Sequence, residues 1–77
     1  MTEAKWMVYE GHDRWRDFPA EINAQVEQAY QAGSGGVEYV WPNRKKTTWT
    51  PYVIRFDRMV QINLHTDNVR NIVRSLR

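Results

Sequence analysis

Residues 52–74 read "YVIRFDRMVQINLHTDNVRNIVR", and the way this stretch pairs with itself decides the fold. β-Branched and aromatic residues dominate "YVIRF" and "MVQIN", as in strands, with Asp57 and Arg58 between the two runs. "HTDN" follows as a turn, and "NVRNIVR" supplies a further strand. With Asp57 and Arg58 as the loop, Phe56 lies opposite Met59, Ile54 opposite Gln61 and Tyr52 opposite Asn63. Directly opposed residues of an antiparallel pair project from the same side, so Tyr52 and Gln61 share a face. The other face carries Val53, Arg55, Val60 and Ile62. A carboxamide among apolar neighbours, followed by Arg70 and Arg74 on one parity of the last strand, is the unusual feature of the stretch.

Upstream, "KWMVYEGHDRWRDF" gives two aromatic-rich runs, Trp6 to Tyr9 and Trp15 to Phe18, around Gly11 and Asp13, which suit a hairpin turn. In "PAEINAQVEQAYQAG" the residues Ile22, Val26, Ala29 and Tyr30 recur at helical spacing, while Glu21, Gln25, Gln28 and Gln31 point elsewhere. Pro19 fits the first helical position and Gly33 the left-handed residue beyond the last turn. Phe18 is a poor cap, so this helix relies on packing. "GSGG" then turns the chain into the alternating strand "VEYVW". "PNRKKTTWTP", residues 42–51, reads as an exposed loop or hairpin arm with a solvated basic trio, Arg44, Lys45 and Lys46. Together these elements predict an α+β fold: a strongly curved antiparallel sheet of about six strands, a half-barrel, packed on one α-helix. Too few strands to close a bent sheet leave a groove.

The 77 residues make one domain, 1–77, near the size at which a core barely supports itself, so the aromatic side chains must supply much of the buried area. The chain has no cysteine, which excludes disulfides and thiolate zinc sites, and His12 and His65 cannot form a structural zinc site alone. No apolar run is long enough to cross a bilayer and no secretory pattern opens the chain, so a monomeric intracellular module without a membrane partner is expected. Charge is divided unevenly. Residues 1–43 carry three basic and seven acidic groups, residues 44–77 eight and two. The basic half suits an anionic partner such as phosphate or nucleic acid.

Taken in order, these residues resemble a WWE domain, the module named for two tryptophans and a glutamate. The match runs from Trp6 and Trp15, through Phe18 and the Glu27 of "VEQAYQAG", to the aromatic, Met-x-Gln-x-Asn and Arg-x-Ile-x-Arg series of 52–74. The resemblance implies a binding module found in ubiquitin ligases and ADP-ribosyltransferases, many of whose members bind iso-ADP-ribose, the internal unit of poly(ADP-ribose), or terminal ADP-ribose. By that analogy Tyr52, Gln61 and Arg70 bind ligand together with a first-strand aromatic. Aligned on the two tryptophans, that position holds Val8, and Tyr9, one residue on, needs a bulge to reach the same side. The implied partners are poly(ADP-ribose) or ADP-ribosylated proteins, with ligase or transferase domains in the parent chain, no cofactor, and a nuclear or cytoplasmic setting.

The chemistry of the four residues fits such a ligand. An amide donates to and accepts from an adenine edge or a ribose hydroxyl, a guanidinium grips two phosphate oxygens, and a tyrosine stacks or hydrogen-bonds. Trp6, Trp15 and Glu27 are expected to brace the helix against the sheet rather than touch ligand. No nucleophile, base or metal constellation points to an enzyme. Two rivals to the ADP-ribose reading remain: a single-stranded nucleic-acid binder, and a protein-docking module of the same fold.

Overall fold

A computed structural model describes residues 3–42 and 49–76. Its elements follow in the order β1 (Ala4–Gly11), β2 (Arg14–Asp17), α1 (Ala20–Gln31), β3 (Gly36–Pro42), β4 (Trp49–Arg55), β5 (Val60–Asn63) and β6 (Val69–Leu76). The strands form one antiparallel sheet in the order β2-β1-β6-β5-β4-β3. The basic trio Arg44, Lys45 and Lys46 lies outside the described residues, but β3 and β4 pair as far as Pro42 opposite Trp49, so a hairpin arm leads up to it.

Six strands laid flat would separate the two edges by about 24 Å, at about 4.8 Å per gap. Instead Phe18, just past edge strand β2, packs on Tyr39 and Trp41 of the opposite edge strand β3, with ring centroids 5.9 and 5.5 Å apart. The sheet is therefore bent into a half-barrel whose open seam is bridged by aromatic rings. Helix α1 lies against the concave side, where Ile22 and Val26 meet Trp6, Val8, Tyr39, Ile54 and Ile72 in the core. Tyr30 is more exposed than its place on the apolar face suggests, yet its ring packs edge-on against Trp6 and Phe56.

Local sequence explains the element ends. The β1–β2 hairpin turns at His12 and Asp13, both with positive φ, after a bulge ending at Gly11, also left-handed. Pro19 is the residue before the helix rather than its first residue; its ψ of 148° is extended and no side chain caps the helix. At the other end Gly33 is left-handed, its N–H donates to Tyr30, and the Ser34 N–H donates to Ala29. That is the Schellman pattern, which satisfies carbonyls a helix otherwise leaves open. Gly36 sits so close to the carbonyl of Ile54 that any Cβ there would collide with it.

Asn23 joins helix to sheet. The β1–β2 register starts at Met7, so the first residues of β1 lack a strand on that side. The Asn23 amide fills the gap: Oδ1 accepts the Trp6 N–H at 2.7 Å and Nδ2 donates to the Ala4 carbonyl at 3.0 Å. A side-chain carboxamide thus replaces the peptide group of a missing neighbour strand.

Candidate functional site

The β4–β5 register sets Tyr52 opposite Asn63 and Ile54 opposite Gln61, as parity predicts, although the connection is longer than Asp57–Arg58 because both strands stop one residue earlier. On its other side Gln61 faces Arg70 directly across β5–β6. Tyr52 faces Tyr39 of β3, and the two rings stack at 5.7 Å and 22°. Tyr52, Gln61 and Arg70 therefore stand on the concave side of three adjacent strands.

They differ in access. Gln61 is only 3% exposed, and its Nε2 donates to the hydroxyl of Tyr39. Burial raises the Tyr39 phenol above its ordinary range, with nearby Tyr52 acting in the same direction, so the phenol is neutral and its oxygen accepts the amide proton. Gln61 thus works from beneath the surface, fixing Tyr39, on which Tyr52 stacks. Tyr52 is half-buried and also meets Trp41 edge-on at 5.9 Å. Arg70 is exposed, and its Nη1 donates to the Tyr9 carbonyl at 3.3 Å. Its guanidinium presents five donors in a planar fork at the rim of the concave face.

Tyr9 is not brought to this face. Val8 lies inside, 3% exposed, opposite Ile72, so the next residue points outward. A bulge is present, but it falls between Tyr9 and Gly11, too late to turn the Tyr9 ring inward. That ring instead meets Trp15 at 5.1 Å and 62°, and its hydroxyl accepts the Asp13 N–H at 3.2 Å. Trp15 corrects a second expectation: it braces nothing against the helix and is 46% exposed on an edge strand whose every residue is exposed.

Trp6 and Glu27 do brace the fold. Trp6 is fully buried and its indole N–H donates to Glu27 Oε1 at 2.9 Å. Arg74 closes on the same carboxylate with Nε at 2.8 Å and Nη2 at 2.7 Å, and Gln31 adds a bond at 2.8 Å. The Arg74 bonds hold the Glu27 carboxyl down at about 2, against the opposing effect of burial, and raise Arg74 in turn. Arg74, left unassigned by sequence, is a structural cation.

Three residues at the seam escaped the sequence reading. Tyr39 and Trp41 alternate with Val37 on the concave side, and Arg16 places its guanidinium 5.1 Å over the Trp41 ring while pairing with Glu10 at 3.6 Å. The alternation in "VEYVW" marks one side for Tyr39 and Trp41; nothing local marks Arg16. Above Val8–Ile72, β1 and β6 part, because β6 pairs with β1 through Ile72–Leu76 and with β5 through Val69–Asn71. The separation forms an open cleft of about 410 Å³, lined by Tyr9, Glu10 and Gly11 from β1 and by Asn68, Val69, Arg70 and Asn71 at the start of β6.

Among the described residues no helix is long and apolar enough to cross a membrane, and no three His, Asp or Glu side chains gather where they could hold a metal ion. No curated protein matches the chain significantly. The family model of the WWE domain matches residues 4–74. That span runs from the start of β1 into β6 and includes Trp6, Trp15 and Glu27. The chain therefore belongs to the WWE domain family, whose members are protein-interaction modules rather than a catalytic family.

Proposed function

We propose that this domain is a non-catalytic reader of poly(ADP-ribose), binding an iso-ADP-ribose or ADP-ribose unit at the open end of its concave face. The observation that carries the reading is the placement of Tyr52, Gln61 and Arg70 on adjacent strands and one side, with Gln61 directly opposite Arg70. Tyr52, backed by Tyr39, offers an aromatic wall for the base. Arg70 at the rim offers a fork for pyrophosphate oxygens. Gln61 positions Tyr39 rather than lying open to the ligand. The proposed partners are poly(ADP-ribose) and ADP-ribosylated proteins, with ubiquitin-ligase or ADP-ribosyltransferase domains in the parent chain and an intracellular, nuclear or cytoplasmic setting.

The test is an NMR titration with iso-ADP-ribose, ADP-ribose, ATP and a short single strand. Saturable shifts at Tyr52, Tyr39 and Arg70 with iso-ADP-ribose support the reading, and absence of shifts at millimolar ligand defeats it. Steep salt dependence with the single strand instead identifies a nucleic-acid binder, since several phosphates then release counterions. A second reading, protein docking without a nucleotide, is favoured by one observation: the first-strand position of the concave face holds buried Val8, and the nearby Tyr9 ring is turned away. The same titration separates the two.

A further inference from the structure

We propose that the cleft where β1 and β6 part is a second subsite, which takes the ribose, phosphate and base of the polymer unit adjoining the one held on the Tyr52 face. The inference rests on the ADP-ribose reading above and extends it from one unit to two.

The partner switch of β6 makes the cleft. Residues Tyr9–Gly11 keep β2 as a neighbour but have no paired strand on the β6 side, while Val69–Asn71 turn to β5. The opening therefore lies at the boundary between the concave and convex sides, and Arg70 stands in it. Its strand position faces Gln61 on the concave side, and its guanidinium reaches the Tyr9 carbonyl across the gap. A cation there meets a phosphate of either unit, or one that joins them.

Tyr9 lines the cleft and its ring carries Trp15 edge-on, so Trp15 is one ring removed from the lining. Trp15 is a large apolar ring, nearly half exposed, that adds nothing to the core and does not touch the primary face. Paired rings in contact beside a cleft form a stacking platform for a base. The lining also holds Asn68, Asn71 and Glu10, whose amides and carboxylate are groups that bond ribose hydroxyls. Glu10 would repel a phosphate if its charge were bare, but Arg16 pairs with it at 3.6 Å. The mostly polar lining, with Val69 as its apolar member, the Arg70 cation and the adjoining rings suit a nucleotide.

The experiment measures affinity by calorimetry for single iso-ADP-ribose and for ADP-ribose oligomers of defined length, starting with the two-unit chain, which contains one internal unit. Wild type is expected to bind the two-unit chain about ten-fold more tightly than the single unit, the scale of one added stacking contact. Trp15→Ala should abolish that excess and leave the single-unit affinity unchanged, and the Trp15 indole N–H resonance should shift only with the longer chain. If Trp15→Ala does not fold, the Asn68→Ala, Asn71→Ala double variant reads the same loss at exposed positions. Equal affinity of wild type for both ligands, or an equal loss for both in Trp15→Ala, overturns the second subsite while the primary one stands. Failure of both ligands to bind overturns both.

Discussion

Gln61 on β5 donates its carboxamide N–H to the hydroxyl of Tyr39 on β3, reaching across the strand between them. Both groups are buried, so each depends on the other for its hydrogen bond. Tyr39→Phe keeps the ring but strands the amide, and is expected to cost about 1–3 kcal/mol in denaturant unfolding. Adding Gln61→Leu to it should recover part of the loss, because removing both partners is milder than orphaning one.

The same pair predicts an alkaline limit. The folded chain holds Tyr39 neutral above its ordinary value of 10, so its contribution is fully present below that value and lost as pH rises through it toward the higher folded value. Unfolding midpoints measured from pH 9 to 11.5 should fall more steeply for wild type than for Tyr39→Phe.

Glu27 sets the acid side. Its carboxyl ionises at about 2 in the folded chain, well below the ordinary 4.5, chiefly because Arg74 donates to it. Its contribution is present above about pH 4.5 and drains away as pH falls through about 2. Glu27→Gln should cost about 1.5–3 kcal/mol at neutral pH, the scale of bonds to a charged group, and should flatten the acid limb between pH 5 and 2. Denaturant unfolding across that range reads both effects.

Asn23→Ala removes the two bonds that stand in for a missing strand beside β1. A loss of about 1–3 kcal/mol is expected. Hydrogen exchange should accelerate at the Trp6 amide, whose acceptor disappears, more than at Met7 or Val8.

Arg70→Ala is expected to weaken iso-ADP-ribose binding by about 1.5–3 kcal/mol while shifting unfolding by less than about 0.5 kcal/mol, since the side chain is exposed. Arg70→Lys should recover only part of the affinity, because an ammonium lacks the planar fork. Calorimetry and thermal melts on the same samples separate the two quantities.

The architecture was legible because it depends on period and parity. "YVIRFDRMVQIN" places Tyr52 and Gln61 on one side through alternation and a loop of even length, a parity the longer observed connection keeps, and Ile22, Val26 and Tyr30 mark a helix through spacing. Parity reports sidedness, not depth, so the sequence did not show that Gln61 is buried and donates to the Tyr39 hydroxyl. Tyr9 and Trp15 show a related limit: the position of a bulge relative to Tyr9 decides which way its ring points, and the residues of "VYEGHDRW" admit more than one position. Arg16 over Trp41 lay beyond reach for another reason. It joins the two edges of the sheet, a contact that exists only once the whole sheet has curved.

The place of β6 has a consequence for biosynthesis. This strand lies between β1 and β5, and among the described strands it is the one hydrogen-bonded to both the β1–β2 hairpin and the β3–β4–β5 meander. Ribosomes deliver residues in order, so both earlier pieces emerge while the segment that unites them is still in the exit tunnel. Neither piece has its full set of hydrogen-bonded neighbours until 69–76 are free, so assembly must follow, rather than accompany, translation of this region. During that interval the unpaired flanks of β1 and β5 are the surfaces a nascent-chain chaperone would need to shield.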